Sequence, residues 1–370
     1  MRTKLLNPSF LLMCVMFSVT LFQVVPMSSV KASTSQPTPV LAYYYIWFDT
    51  KSWDRAKTDY PLLGNYSSDD KSVMQQHIRW AKDAGINGFI VSWKSTAVLN
   101  RRLSLLAEVA ADEDFKLAVI YQGLDFDRNP LPIDRISSDL DYFIDYYAPK
   151  PVFQIFNKPM VIWSGTWKFS TDDIEKVTAV HRTDLMILGS EKNVDGYQRI
   201  MEFVDGNAYY WSSVNPDTYP GYPEKLVEMS TAIHENHGLW IAPAAPGFDA
   251  HLLGGTSLVD RKDGETLRTQ INTAQLSSPD ALGLISWNEF SENSQIEPSV
   301  NYEMRSLEVL SEINQMPVPA IADFDSSEPT GVYKDWFTGS RFFALGGLAI
   351  LMLSGILVLA LRRSRTVPIK

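Results

Sequence analysis

The sequence predicts a (β/α)8 barrel, and three observations support this fold class. Short apolar runs alternate with amphipathic helical stretches, there are eight such runs, and each is separated from the next by room for a helix. The candidate strands are 41–46, 88–92, 117–121, 160–163, 185–188, 208–211, 239–242 and 282–286. An open doubly wound sheet is the alternative architecture, but no Gly-x-Gly-x-x-Gly turn follows the first strand, so the chain lacks a dinucleotide signature.

The clearest predicted helix follows the first strand. Asp69 is placed to cap its start, and Gly85 supplies a left-handed residue to end it. Spacings of three and four put one set of side chains on a single face of this helix: Val73, His77, Trp80, Ala81 and Ala84. We therefore expect His77 to be a packed or hydrogen-bonded residue of the helix face rather than a catalytic residue.

Both ends of the chain are predicted to lie outside the barrel. Basic residues precede an apolar stretch, and Val30-Lys31-Ala32 offers small residues where a signal peptidase reads, so the sequence begins with a predicted export signal. After residue 315 the composition becomes proline-containing and acidic, as in a semi-extended spacer. The predicted segments are a signal peptide at 1–32, the barrel at 33–315, a linker at 316–341, a transmembrane helix at 342–361 and a cytoplasmic tail at 362–370.

The predicted transmembrane helix rests on length and flanking charge. Residues 342–361 contain no charged side chain, and as a helix they span about 30 Å, the thickness of the hydrocarbon core of a bilayer. Arg362, Arg363 and Arg365 follow, and under the positive-inside rule they remain in the cytoplasm. We therefore expect a single-pass protein of the cell membrane with an extracytoplasmic barrel, and a buried core helix is the alternative for this segment.

The composition argues against several other functions. The net charge of −10 makes nucleic acid an unexpected partner. The only cysteine, Cys14, lies in the predicted signal, so the barrel has neither a disulfide nor a thiol nucleophile, and no G-x-S-x-G motif is present. His234 and His237 fall at the end of a helical run, 223–237, closed by Gly238, where polar side chains meet the last carbonyls. No metal site and no cofactor is predicted.

Two glutamates stand three residues apart just after the eighth apolar run, at Glu289 and Glu292. The strands of a parallel barrel deliver catalytic groups from their C-terminal ends. Glycoside cleavage uses two carboxyl groups, one of which donates a proton to the leaving oxygen. The pattern therefore favours a glycosidase site, and the alternative is a solvated loop that holds two glutamates by chance.

Four segments resemble one known family. The stretch from Asn288-Glu289 through Glu292 to Gln295-Ile296-Glu297 resembles the N-E-W-x-E-x-T-Q-I-E signature of glycoside hydrolase family 99, the endo-α-mannosidases and endo-α-1,2-mannanases. The aromatic first strand at 43–48, the segment 61–69 and Pro246-Gly247-Phe248 are similar to further family segments. The sequence also departs from the family pattern, since Phe290 stands in place of Trp, Ser291 in place of a frequent His, and Asn293-Ser294 in place of the usual Gly-Thr.

The resemblance implies a barrel that hydrolyses internal α-mannosidic bonds with retention of configuration. In the family, one glutamate is a base on the sugar's own 2-hydroxyl, which attacks the anomeric carbon and gives a 1,2-anhydro sugar. By position, Glu289 is implied to be this base, and Glu292 the general acid and then the base that activates water. A raised pKa for Glu292 is expected, with the charge of Glu289 as a contributor.

Aromatic side chains near the predicted strand ends are candidates for stacking against sugar rings, and core packing is the alternative for each. The predicted substrate-binding residues are Tyr45, Trp47, Trp93, Gln122, Tyr209 and Asn288. The main hypothesis is a retaining endo-glycosidase that acts on an oligo- or polysaccharide without a cofactor. Two alternatives stay open: a surface carbohydrate-binding barrel that has lost turnover, and a glycosidase that trims the host's own envelope polysaccharide.

Overall fold

The computed structural model describes residues 37–320, which form a barrel of eight parallel strands. The strands are β1 (Val40–Tyr45), β2 (Gly88–Trp93), β3 (Lys116–Gln122), β4 (Met160–Ser164), β5 (Met186–Leu188), β6 (Gly206–Ala208), β7 (Leu239–Ala244), β8 (Phe248–Asp249), β9 (Leu258–Val259) and β10 (Ala281–Leu284). The barrel order is β5-β4-β3-β2-β1-β10-β7-β6, and β8 and β9 form a separate antiparallel hairpin. Backbone hydrogen bonds from Gly189 N to Gly206 O and from Ala208 N to Gly189 O join the two ends of this order.

The α-helices of the described residues are α1 (Lys71–Asp83), α2 (Ala97–Asp112), α3 (Ile133–Tyr146), α4 (Thr171–His181), α5 (Val194–Ile200), α6 (Tyr222–Glu235), α7 (Glu265–Leu276) and α8 (Arg305–Asn314). One helix follows each barrel strand, which confirms the predicted (β/α)8 architecture. All eight predicted strands are present, and three end earlier than expected: β1 by one residue, β6 by three and β10 by two. In β10 the reason is that Ser286 N already bonds to Ser294 O in the following loop, and after β6 only the Tyr209 amide still reaches β7, at Ile241 O.

Side chains of the strands alternate between two apolar layers. The inner layer fills the barrel with Leu41, Tyr43, Ile90, Ala118, Ile120, Met160, Ile162, Leu188, Ala208, Ile241, Ala281 and Ile285. The intervening residues point to the helices and belong to a larger cluster that includes Val91, Val119, Val161 and residues of α1 to α8. Both layers are apolar because a parallel barrel buries both faces of its strands. At the carboxyl end of the strands the inner positions become polar, and that end holds the predicted glutamates.

The ends of two helices differ from the prediction by one or two residues. Asp70, rather than Asp69, caps α1, since its side chain accepts from Ser72 N at 2.9 Å. Asp69 was wrongly predicted as the cap because its carboxylate instead accepts hydrogen bonds from Arg101 and Arg102 of α2. Helix α6 stops at Glu235, two residues before the predicted end at 237, and His237 adopts a left-handed conformation. Gly85 ends α1 with φ of 84°, as predicted.

Among residues 37–320, none of the helices is long and apolar enough to cross a membrane. The predicted signal peptide, the linker beyond residue 320, the predicted transmembrane helix and the predicted tail lie outside the described residues.

Candidate active site

The loop that follows β10, residues 285–297, carries both glutamates and is called the glutamate loop here. Hydrogen bonds within the loop fold it back on itself: Ser286 N donates to Ser294 O, and Ile296 N donates to Ser286 O, both at 2.8 Å. Glu289 N donates to the Ser286 hydroxyl, also at 2.8 Å. The backbone that carries the carboxyl groups is therefore fixed by its own contacts.

Two side chains at the end of the glutamate loop anchor it to the rest of the barrel. The Tyr66 hydroxyl donates to Glu297 Oε2 at 2.9 Å, and His77 Nε2 lies 3.0 Å from Glu297 Oε1, with the His77 and Glu297 side chains completely buried. Gln295 Nε2 donates to Asp59 Oδ2 at 3.1 Å. His77 is thus the hydrogen-bonded helix-face residue that the sequence predicts, and it holds the end of the glutamate loop through Glu297.

Asn288 and Phe290 also face away from the barrel mouth. Asn288 is completely buried, and its amide pairs with the backbone of Tyr45: Oδ1 accepts from Tyr45 N at 2.8 Å and Nδ2 donates to Tyr45 O at 3.0 Å. The Phe290 ring packs against Trp53, with ring centroids 5.5 Å apart. Both residues hold the glutamate loop against the end of β1, so Asn288 has no free group to offer a sugar here.

Glu289 is buried and Glu292 is half-buried, and this loss of contact with water controls their protonation. Burial raises the pKa of Glu289 to about 8, the charge of Glu292 adds to this, and hydrogen bonds from Ser291 and the charge of Lys57 oppose it. Burial also raises the pKa of Glu292, against a hydrogen bond from Ser212 and the charge of Arg128. Near neutral pH the pair therefore retains a proton, and one carboxyl group can donate a proton while the other accepts one.

Two tyrosines lie next to this pair of carboxyl groups. The hydroxyls of Tyr45 and Tyr210 form a short hydrogen bond with each other. Burial raises the pKa of Tyr45 well above its ordinary value, and the charges of Tyr210, Glu289 and Glu292 raise it further. The Ser212 hydroxyl, two residues after Tyr210, donates to Glu292 Oε2 at 3.4 Å. Tyr210 and Ser212, which stand two residues apart just after β6, thus both contact the site.

Three of the predicted substrate-binding residues lie at or just after the carboxyl ends of barrel strands, namely Tyr45, Trp47 and Gln122. Tyr45 faces the glutamates, and Trp47, whose side chain is 44% exposed, stacks on it with ring centroids 4.2 Å apart. Gln122 is half-buried and donates to the Ser92 hydroxyl at 3.0 Å. An exposed indole on a buried phenol beside two carboxyl groups is an arrangement that suits a sugar ring.

Trp93 and Tyr209 do not join this group. Both belong to the outer apolar layer, where Trp93 Nε1 donates to Asn100 Oδ1 at 2.9 Å and the Tyr209 hydroxyl accepts from Lys225 Nζ at 2.9 Å. The residues next to them in the chain, Ser92 and Tyr210, face the inside of the barrel instead. Every second residue of a strand faces the same side, so continuing from the inner layer in steps of two would have selected Tyr210 and Ser212, which the sequence reasoning did not choose.

Within residues 37–320, no three His, Cys, Asp or Glu side chains are arranged to hold a metal ion. His234 contacts the carboxylate of Asp280 at 3.0 Å and the Ser230 hydroxyl at 3.3 Å.

A parallel (β/α)8 barrel with two neighbouring carboxyl groups, one buried and one half-buried, at the carboxyl end of its last strand has the architecture of a barrel glycosidase. The family model of glycosyl hydrolase family 99 matches residues 42–317. The chain belongs to this family of glycoside hydrolases, which confirms the resemblance of its four segments.

Similar proteins support the same family. The chain is 21% identical over 270 residues to the glycoprotein endo-alpha-1,2-mannosidase of Rattus norvegicus, a match that covers 67% of this chain and 58% of the relative. The Xenopus laevis protein of that name is 23% identical over 270 residues, with 65% and 58% covered. The chain thus spans less than two thirds of the length of these relatives. A solved structure of the GH99 endo-alpha-mannosidase from Bacteroides thetaiotaomicron has a TM-score of 0.65 at 19% identity, covers 76% of this chain and 99% of that chain, and shows the same fold.

Proposed function

We propose that this protein is a retaining, endo-acting glycoside hydrolase that cleaves internal α-mannosidic bonds of an oligo- or polysaccharide. The observation that carries the proposal is the pair of carboxyl groups at the carboxyl end of the last strand, buried Glu289 and half-buried Glu292, whose pKa values are both raised. The names of the relatives, endo-alpha-1,2-mannosidases, support the choice of linkage.

In the proposed mechanism, Glu289 removes the proton from the sugar's 2-hydroxyl while Glu292 protonates the leaving oxygen. The 2-oxygen then attacks the anomeric carbon, the glycosidic bond breaks, and a 1,2-anhydro sugar forms. Glu292, now ionised, activates a water that opens this ring, and the proton on Glu289 returns to the 2-oxygen. Two displacements at the anomeric carbon give retention.

The raised pKa values leave the pair with one proton near neutral pH, and the reactive form is the one in which Glu292 holds that proton and Glu289 is ionised. A base whose pKa is about 8 binds a hydroxyl proton more tightly than an ordinary carboxylate does, and the nearby charge of Lys57 favours its ionised form. The raised pKa of Glu292 lets it keep its proton nearer to neutrality, as a general acid requires. The hydroxyl pair of Tyr45 and Tyr210 supplies polar contacts beside both groups.

The test compares Glu292→Gln with Glu289→Gln on α-mannosides of different leaving-group ability. Glu292→Gln removes the proton donor, a loss of about a hundred- to ten-thousandfold in rate, and a good leaving group such as a nitrophenol should recover much of the first step. Glu289→Gln should show no such recovery, because activation of the 2-hydroxyl is needed whatever the leaving group.

The matched control is Glu175→Gln on the exposed face of α4, which should retain wild-type kinetics. A 2-fluoro substrate should be inert even to the wild type. Turnover of the 2-fluoro substrate, or near-normal activity in either active-site variant, would show that the mechanism is wrong. Binding of mannosides without any turnover by the wild type would instead support a carbohydrate-binding barrel.

A further inference from the structure

Lysines cluster with two indoles, the exposed Trp211 and the half-buried Trp167, on the rim of the barrel mouth. Lys192 Nζ lies 4.1 Å from the ring centroid of Trp167 and 5.7 Å from that of Trp211. Lys225 Nζ also lies 5.7 Å from the ring centroid of Trp211. Trp211 is therefore shared by two ammonium groups, and Arg128, close to Lys192, adds a third cation. We call Arg128, Trp167, Lys192, Trp211 and Lys225 the cationic rim.

The cationic rim is continuous with the candidate active site. Trp211 lies in the chain between Tyr210, which bonds to Tyr45, and Ser212, which bonds to Glu292. The charge of Arg128 also reaches Glu292, where it opposes the effect of burial on the pKa of that carboxyl. If the glycosidic bond that is cleaved lies over the glutamates, a sugar one or two units along the glycan from that bond would reach the cationic rim.

The charges of the rim are not neutralised by the protein. Among the ion pairs of the described residues, none involves Arg128, Lys192 or Lys225. The acid closest in sequence, Glu191, is buried and engaged by Arg199 at 3.1 Å. Burial lowers the pKa of Lys192, the charge of Arg128 lowers it further, and the charge of Glu191 opposes both. Three neighbouring cations without an ion pair are a costly arrangement in a chain of net charge −10, where acids are plentiful.

We propose that the cationic rim is a subsite for an anionic substituent, namely a phosphate, sulfate or carboxylate group, on a sugar of the glycan. The inference rests on the proposed function, because it takes the neighbouring cleft to be a glycan site. The indoles of Trp167 and Trp211 offer a flat face to a sugar ring, and the ammonium groups beside them hold the charge that the ring carries. Such an anion would form the ion pair that these cations lack within the protein.

The experiment measures binding and hydrolysis of matched disaccharides. The ligands are α-1,2-mannobiose, its forms with a phosphate or a sulfate on either ring, and the corresponding uronic acid forms. Calorimetry with the wild type gives dissociation constants that need no turnover, and the three anions distinguish between the sources of charge. We expect at least one anionic form to bind at least tenfold more tightly than the neutral disaccharide, with the preference falling as salt is raised.

Variants locate the preference on the rim. Lys192→Met and Lys225→Met should each lower the ratio of anionic to neutral affinity several-fold, and Lys192→Arg, which keeps the charge, should retain most of it. The matched control is Lys176→Met, an exposed lysine of α4, which should leave the ratio unchanged. Retention in the arginine variant also separates lost charge from lost folding.

An affinity of the wild type for every anionic form no greater than for the neutral disaccharide, including no binding of either, overturns the inference. An anionic preference that survives both methionine variants also overturns it. Preferential anion binding without hydrolysis of any disaccharide would leave the subsite intact and reject the proposed function instead.

Discussion

The pair of carboxyl groups, one buried and one half-buried, is the central feature at the scale of single residues. The sequence alone predicted the pair Glu289 and Glu292, and the family resemblance assigned their roles. It did not predict that the larger rise in pKa falls on Glu289, because that depends on how completely the glutamate loop covers the side chain. It also did not select Tyr210. Tyr209 and Tyr210 are adjacent tyrosines at the same strand end, and only the direction of the side chain shows which of them faces the site.

The two adjacent tyrosines provide a matched pair of substitutions. Tyr210→Phe removes the hydroxyl that bonds to Tyr45 beside the glutamates, and we expect kcat/KM on α-mannosides to fall about tenfold or more. Tyr209→Phe removes a hydroxyl that accepts from Lys225 in the outer layer. We expect it to affect kcat/KM much less. Equal losses in the two variants would contradict the assignment of Tyr210 to the site.

The raised pKa of Glu289 also predicts how stability depends on pH. Because the folded state binds this proton more tightly than the unfolded chain, the favourable contribution is fully present below a pH of about 4.5 and is lost as pH rises through about 8. Glu289→Gln removes this titration. We therefore expect denaturant unfolding to show the variant gaining stability relative to the wild type between pH 5 and pH 9.

The control for this titration is Glu175→Gln, whose stability difference from the wild type should not change over the same range. A Glu289→Gln difference that is constant with pH would show that Glu289 titrates normally in the folded protein.

At the scale of elements, the sequence predicted all eight barrel strands but not which way their side chains point. The reason is that both faces of a parallel barrel strand are buried, so the apolar pattern is nearly continuous and carries no alternation to read. Trp93 illustrates this, because it was predicted to contact sugar and instead packs with Tyr121 and Phe143 under the helices. The effect of Lys57 on Glu289 could not be predicted either, since the two residues lie far apart in the chain.

The corrected cap of α1 gives a prediction for this element. Asp70→Ala removes the acceptor for Ser72 N, and we expect the free energy of unfolding to fall by about 1 kcal/mol. The matched control is Asp83→Ala, at the exposed C-terminal end of the same helix, where a negative charge opposes the helix dipole. This control should be neutral or slightly stabilising. A larger loss from Asp83→Ala than from Asp70→Ala in denaturant titration would contradict the cap.

At the scale of the whole molecule, eight strand–helix units and four family segments in order were enough to predict the architecture. The segments converge in space, since the loop of residues 59–69 meets the glutamate loop: Leu62 N donates to Pro298 O at 3.0 Å, and Tyr66 bonds to Glu297. The placement of the protein at a membrane rests on the sequence of residues 342–361 alone and remains our proposal.

Deletion of residues 341–370 tests this proposal. The deletion removes the uncharged stretch and its basic flank but leaves the barrel complete, so we expect a protein in the soluble fraction with unchanged hydrolysis. Deletion of residues 362–370 alone is the control, and this shorter truncation should stay with the membrane fraction. Membrane association of the longer truncation after fractionation would reject the anchor.

The pairing of β1 with β10 imposes an order on biosynthesis. Val40 lies opposite Leu282, and the Asn288 amide bonds to Tyr45 across a sequence separation of 243 residues. β1 must therefore wait for its neighbour until β10 has left the ribosome, and contacts of such sequence separation form slowly. Because the two glutamates arrive with the loop after β10, a nascent chain lacks the pair until that loop has been made. Under the proposed mechanism, the barrel can cleave a glycan only from that point on.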